Sequence, residues 1–339
     1  MDISLFTQRL RLQFLQAQTA VAQPAPIMTR CVTVVPSEAS IENYPWMFPP
    51  PKMKEYLGKR QWGGTQQIKY SVPNKAFDAG IEIAEMDIDD DLVGGYETVI
   101  SRMTLDGGAP FEARTVLGNL ANGGTILGFD GSNFFGTTHK LGSTASSPPS
   151  GFGGGGNDLT FTSTNSADGN TYRFIVLMHT DQQGIVKPLL FQNREPLSFI
   201  TDAGTPQARI ANLNHYLVRR RCAPAFGFWW DALRITITNY PSLIDIFNCL
   251  DAAMQMLYNF QLPINVPTDA PQRVHEQVEF NERNATIVCD NYLHRLMLHA
   301  VRQQHVGVQT PPVGTQAGFT DNIYYNMAGI IPSGYLNTH

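Results

Sequence analysis

Tyr44-Pro45-Trp46-Met47-Phe48-Pro49-Pro50-Pro51-Lys52-Met53-Lys54-Glu55-Tyr56-Leu57-Gly58-Lys59-Arg60-Gln61-Trp62 is the stretch on which the reading of this chain turns. Its prolines fix φ and withdraw backbone donors, so regular structure is excluded over much of the run. Tyr44, Trp46, Tyr56 and Trp62 meanwhile offer large apolar faces. The combination reads as a strap that packs by docking onto another surface. The plainer alternative is an N-terminal segment that closes its own core.

On the C-terminal side of the strap, Gln67 to Val72 and Phe77 to Ile88 read as two strands around a turn near Pro73-Asn74-Lys75, a long hairpin with Ile81 and Ile83 alternating against Glu82. It runs into Glu85, Asp87, Asp89, Asp90 and Asp91, of which Asp89 to Asp91 are placed to cap the free N–H groups of a helix spanning Leu92 to about Asn122. Gly107-Gly108-Ala109-Pro110 predicts a kink or break within that helix. Ile126 to His139 reads as strand, turn and strand. Residues 142–170 are rich in Gly, Ser, Thr and Pro, and predict an exposed loop that buries little. From Tyr172 to Ile237 the pattern is that of antiparallel strands. Helices follow over Leu243 to Phe260 and Asn291 to Gln304, with a short strand Ala285 to Cys289 between them and a closing strand at Met327 to Pro332. On the N-terminal side, Ile3 to Ala22 has helical spacing and predicts a mobile or docking helix.

Charged residues make up 16% of the 339 positions and apolar residues 42%. About a quarter of positions are charged in an ordinary soluble domain, so much of this surface is expected to be covered by neighbours. The net charge of −5 supplies no broad basic field for nucleic-acid phosphates. Cys31, Cys222, Cys249 and Cys289 are widely spaced and read as reduced core thiols of a cytosolic product. No apolar run reaches the length of a membrane span and the N-terminus lacks signal-peptide character, so the chain is expected to be soluble and unexported.

Candidate chemistry is sparse. Gly151 to Gly156 lacks the lysine and hydroxyl of a phosphate loop. His294, His299 and His305 are spaced by five and six, which does not stack metal ligands on a helix. The acids from Glu82 to Asp91 lack calcium-loop spacing. Asp130 and His139 could form an acid–base pair, but no organised nucleophile accompanies them, and a turn-stabilising Asp-Gly is the commoner meaning. Arg219-Arg220-Arg221 is the only basic run. It reads as an inter-subunit pairing element in preference to a nucleic-acid contact, ahead of the aromatics Phe226, Phe228, Trp229 and Trp230. No catalytic residue, cofactor site or metal site is expected.

A set of stretches taken in order resembles a known family, the major head subunits of Mu-like bacteriophages. They are Tyr44-Pro45-Trp46 through Gly58-Lys59-Arg60, Tyr70-Ser71-Val72-Pro73-Asn74-Lys75-Ala76-Phe77, and Asp87 to Tyr96. Phe129-Asp130-Gly131-Ser132-Asn133-Phe134-Phe135 with His139, Lys187 to Pro196, and Arg220-Arg221 leading to Phe226-Gly227-Phe228-Trp229 complete them. The resemblance implies an α+β, HK97-type major capsid fold. Its parts would be an N-terminal arm over residues 1–60, an extended hairpin loop over 61–90, a peripheral domain over 91–241 containing a spine helix at 91–122 and a flexible Gly-rich loop at 142–170, and an axial domain over 242–339.

What the resemblance further implies is a virion shell protein, assembled in the bacterial host cytoplasm into hexamers and pentamers that enclose double-stranded DNA. Scaffold, head protease, portal and decoration or minor capsid proteins would be its partners; its contact with DNA would be weak and non-specific, and there would be none with a membrane. The inter-subunit set expected from these readings is Tyr44, Trp46, Trp62, Tyr70, Phe77, Arg219, Arg220 and Arg221. The rivals are a cargo-compartment shell protein of the same fold and, more remotely, a hydrolytic enzyme using the Asp130–His139 region.

Overall fold

The computed structural model describes residues 3–20, 23–47, 58, 67–90, 94–140, 143–144, 149–179, 186–261, 273–275, 280–302, 305–307, 319–321 and 325–337. Trp62, Tyr56 and most of the strap lie outside these residues, and only the backbone of Trp46 is described. The chain forms two compact units, Met1–Asn43 with Ser71–Leu117 and Leu190–Ala225, and Tyr44–Tyr70 with Gly118–Leu189 and Phe226–His339. These units cut across the four successive segments expected from the sequence, because each draws strands from distant parts of the chain.

In chain order the elements begin α1 (Ile3–Ala20), α2 (Pro26–Cys31), β1 (Val32–Pro36), β2 (Ile41–Met47), β3 (Gln67–Pro73), β4 (Lys75–Ala84), α3 (Glu85–Asp90), α4 (Gly95–Gly107) and α5 (Ala109–Ala121). The middle supplies β5 (Ser143–Thr144), β6 (Phe152–Gly155), β7 (Asp158–Thr162), β8 (Thr171–Met178), β9 (Leu189–Thr201), α6 (Pro206–Ala211) and β10 (Leu213–Phe226). The last third adds β11 (Ala232–Thr238), α7 (Leu243–Asn259), β12 (Phe260–Gln261), β13 (Ala285–Cys289), α8 (His294–Arg302), β14 (His305–Gly307), β15 (Phe319–Asp321) and β16 (Gly329–Pro332).

In the first unit, α1 carries Phe6, Leu10, Phe14 and Ala17 on one buried stripe, three or four residues apart as a helix requires. That stripe packs with Ile100 of α4 and with Ile83, Tyr216 and Val218 of the sheet. The N-terminal helix is therefore docked within its own unit, and Leu5, Leu12 and Leu15 occupy its exposed side. The sheet order is β1-β9-β10-β4. β4 and β10 are antiparallel from Leu213↔Ala84 to Cys222↔Lys75. Directly opposed residues share a face, so Phe77, Ala79, Ile81 and Ile83 point the same way as Asn214, Tyr216, Val218 and Arg220.

Three expectations are corrected here. β3 pairs with β2, and β4 with β10, so the described residues of 67–90 do not form a hairpin closed on itself. β4 ends at Ala84 and Glu85 opens a short helix whose first turn holds Glu85 and Asp87, where carboxylates meet the positive helix end. α4 starts after Gly94 in the left-handed region, with no side-chain cap, and not from an aspartate-capped start at Leu92. The expected interruption of the long helix is present. α4 stops at Gly107, Gly108 leaves helical geometry with ψ −135°, and Pro110 lies in the first turn of α5.

In the second unit the sheet order is β16-β13-β8-β11-β7-β6. β8 is central, and Phe174 through Met178 are all fully buried, the unbroken apolar run of a strand covered on both faces. β8 is antiparallel to β11 and β13, whereas β11–β7 and β13–β16 are parallel. The antiparallel reading of Tyr172 to Ile237 thus holds for β8 with β11, and each parallel pair includes a strand outside that range. α7 begins with a capping box between Ser242 and Asp245.

The Gly-rich loop expected at 142–170 is corrected in part. Residues 152–162 fold as the β6–β7 edge hairpin, with Leu159 fully buried. Gly156 has φ +58° and a Cβ there would lie 2.1 Å from the Gly136 carbonyl oxygen, so glycine serves a close backbone approach and a left-handed turn. Composition could not tell that use from flexibility. The four cysteines are buried and none is in a disulfide. Burial pushes the Cys222 thiol up to about 11 and the Cys289 thiol to about 12, which keeps both protonated. Among the described residues no helix is long and apolar enough to cross a membrane.

Candidate functional site

The segments singled out in the sequence around Phe129–His139 and Phe226–Trp229 meet in the second unit, and a residue that sequence reasoning passed over joins them. Asn157, fully buried at the β6–β7 turn, directs Nδ2 at the carbonyl oxygens of Phe134, Trp229 and Ala232 at 2.8, 3.0 and 3.1 Å. Its Oδ1 accepts from the Gly136 amide and faces His139 Nε2, each at 3.0 Å. The only signal for it in sequence is one asparagine closing a glycine run. Aromatic rings fill the space around this polar hub. His139 stacks on Trp229 with centroids 3.9 Å apart and planes within 5°, and Phe134 stacks on Phe226 at 3.9 Å.

Asp130 anchors the other side of His139, with Oδ2 3.0 Å from Nδ1. It also accepts the amides of Ser132 and Lys140 at 3.0 and 3.2 Å. Burial opposes ionisation of this carboxyl, but the bonds from His139 and the two amides outweigh it and hold Asp130 below the usual carboxylate range. Both ring nitrogens of His139 are engaged and the side chains of the pair are each 1% exposed. A substrate would find neither a free lone pair nor a path to it. The arrangement fastens a loop to a sheet, and it offers no acid–base catalyst. Among the described residues no cluster of three or more His, Cys, Asp or Glu could hold a metal ion.

The sequence-predicted interface residues are dispersed. The strand pleat divides the arginine run, with Arg220 turned inward in the first unit and Arg219 and Arg221 on the opposite face. Arg220 is buried, donates to the Gly107 carbonyl oxygen at 3.0 Å and to Glu112 at 2.8 Å, and lies 5.5 Å from the ring centroids of both Phe111 and Phe191. Its expected role as an inter-subunit arginine is therefore corrected, since the side chain is buried and both Nη groups bond within its own unit, across the α4–α5 break. Arg221 pairs with Glu195 at 3.1 Å.

Phe77 is half-buried edge-on against Phe111 at 4.9 Å. With Arg102, Met103, Asp106 and Leu197 the two rings line a groove of about 430 Å³, which no sequence pattern announced. In the second unit the Tyr70 hydroxyl accepts from the Phe226 amide at 3.5 Å. Tyr44 is half-buried. The Trp46 side chain and all of Trp62 lie outside the described residues.

Comparison with known proteins gives concordant matches. The family model described as Mu-like prophage major head subunit gpT matches residues 4–244. The Mu-like prophage FluMu major head subunit of Haemophilus influenzae is 29% identical over 203 residues, covering 59% of this chain and 63% of that protein. The major capsid protein of Escherichia phage Mu is 26% identical over 204 residues, covering 60% and 64%. The chain thus spans just under two thirds of the length of these relatives. Among solved structures, the capsid of bacteriophage JBD30 superposes with a TM-score of 0.66 at 18% identity, covering 94% of this chain and 92% of that one. The fold is accordingly the α+β, HK97-type fold of phage capsids.

Proposed function

This chain belongs to the Mu-like prophage major head subunit gpT family, and from that membership we propose that it is the major capsid protein of a tailed bacteriophage, assembling with its own copies into the icosahedral shell of the virion. The observation that carries the reading is the family match over residues 4–244; the capsid-type fold supports it. A low share of charged residues and a proline-interrupted aromatic strap fit a subunit completed by its neighbours. Hexamers and pentamers are the building blocks of the proposed shell, arranged around packaged duplex DNA to which single subunits bind weakly. Scaffold, head protease, portal and decoration proteins complete the proposed partner set. Tyr44, Trp46, Trp62, Tyr70, Phe77, Arg219 and Arg221 remain candidates for inter-subunit contact.

Negative-stain microscopy and light scattering of the purified full chain test the proposal. Capsomers or closed shells are the expected result. A chain that stays monomeric at high concentration, with neither capsomers nor shells, would count against it, and natural particles filled with protein cargo and no genome would point to a compartment instead.

A further inference from the structure

The hydrogen bonds around Asn157 leave its amide only one orientation. Oδ1 accepts from the Gly136 amide, and Nδ2 faces the carbonyl oxygens of Phe134, Trp229 and Ala232, so exchanging the two atoms would set like against like at four contacts. His139 Nε2 therefore donates to Oδ1. On the other side of the ring, Nδ1 meets Asp130 Oδ2, in a carboxylate that already accepts two amides. One ring thus faces two acceptors. Both contacts are hydrogen bonds only if a second proton lies between Nδ1 and Oδ2.

We propose that Asp130 and His139 hold this proton as a buried carboxylate–imidazolium pair, a pH-sensitive latch that ties the 126–140 segment to the β6–β7 turn and to the turn at Trp229. The amides of Ser132 and Lys140 that donate to the Asp130 carboxylate favour its ionised form, which leaves the proton on the ring. Trp229, parallel to that ring at 3.9 Å, presents the π-face that a cation favours. Other charges nearby are engaged elsewhere: Lys140 Nζ donates to the Gly131 carbonyl oxygen at 3.2 Å, Asp158 pairs with Arg234 at 2.6 Å, and Asp231 lies 3.4 Å from His275.

The sign of the pH effect follows from proton counting. An unfolded chain releases a histidine proton near pH ~6.5, while the latched state keeps it. Where only the native state is protonated, the folded-to-unfolded ratio falls about tenfold for each pH unit of rise. The fall stops once the pair itself lets go.

The test is urea unfolding of the full-length chain between neutral and alkaline pH, for the wild type, Asp130→Asn and His139→Gln. In Asp130→Asn the new amide nitrogen can donate to a neutral ring, so the extra proton is no longer needed. The wild type should lose about tenfold more per pH unit than either variant across the window. Parallel curves for all three would overturn the proposal. Should the variants fail to fold, ¹⁵N-histidine labelling of the wild type decides. A ring with both nitrogens protonated at a pH where free imidazole is neutral, and still present in His215→Gln, is expected, and a His215→Gln spectrum of neutral rings only would refute the latch.

Discussion

Replacing Arg220 by methionine separates the two roles of that side chain. Methionine keeps an apolar stem between Phe111 and Phe191 but removes the guanidinium, and with it the 2.8 Å contact to Glu112 and the 3.0 Å bond to the Gly107 carbonyl oxygen. Breaking a buried ion pair from one side costs about 3–5 kcal/mol, because the partner's charge is stranded. The Glu112 side chain retains 26% exposure, so water recovers part of the loss and about 2–3 kcal/mol is expected. Adding Glu112→Gln removes the stranded charge, and the double variant should lie within about 1 kcal/mol of wild type. Arg219→Ala and Arg221→Ala, on the outer face, should each cost no more than about 0.5 kcal/mol. The assay is urea unfolding of the unassembled subunit at neutral pH. Equal effects of all three arginines, or an Arg220→Met cost that Glu112→Gln does not relieve, would refute the pleat-based division of the run.

Asn157→Ala removes the side-chain donor to three buried carbonyl oxygens, of which that of Trp229 keeps the Ala232 amide, and leaves the Gly136 amide without its acceptor, and is expected to cost about 3 kcal/mol in denaturant unfolding. Gly156→Ala must move the Gly136 carbonyl, whereas a Cβ at Gly151 meets nothing within 4 Å despite φ +89°. The first should abolish soluble folded protein and the second should cost about 1 kcal/mol, read from expression and thermal unfolding. Trp62→Ala should lower shell yield while leaving subunit unfolding unchanged, with an interface loss of about 2 kcal/mol per contact. In salt titrations of isolated subunits with duplex DNA, binding should be weak; tight binding with a steep salt slope that Arg219→Ala and Arg221→Ala removes would contradict this.

How far the sequence was legible depends on whether the signal was local. The break at Gly108–Pro110, strand β13 at Ala285–Cys289 and the core strand Phe174–Met178 were all readable, because proline geometry and apolar runs act within a few residues. The hairpin at 67–90 was misread because strand pairing is a choice among distant partners. β4 and β10 are joined by a register over more than a hundred residues of intervening chain, and a turn signal at Pro73-Asn74 cannot weigh that alternative. Glycines 151–156 were misread because composition reports entropy and not close approach. Within the polar knot, Asp130 and His139 were legible as a pair. Asn157 was not, since a lone asparagine carries its meaning only through carbonyls at residues 134, 229 and 232.

The pleat also decides what the arginine run can do toward DNA. Three consecutive arginines look like a phosphate clamp in one dimension, but a strand turns alternate side chains to opposite faces. That leaves two on the exposed face, each opposite or near acids: Asp78 is the cross-strand partner of Arg219, and Glu195 binds Arg221. Farther along β10 on the same face, His215 sits between Asp202 at 2.8 Å and Glu82 at 3.7 Å. The bond to Asp202 raises its affinity for a proton, so any charge it gains on acidification is already matched by carboxylates. A face on which each cation has its own acid releases few counterions from a duplex. In the proposed shell role, a chain of net charge −5 built this way would confine a genome through the geometry of a closed assembly, in which many modest contacts between identical copies stabilise one another by mass action.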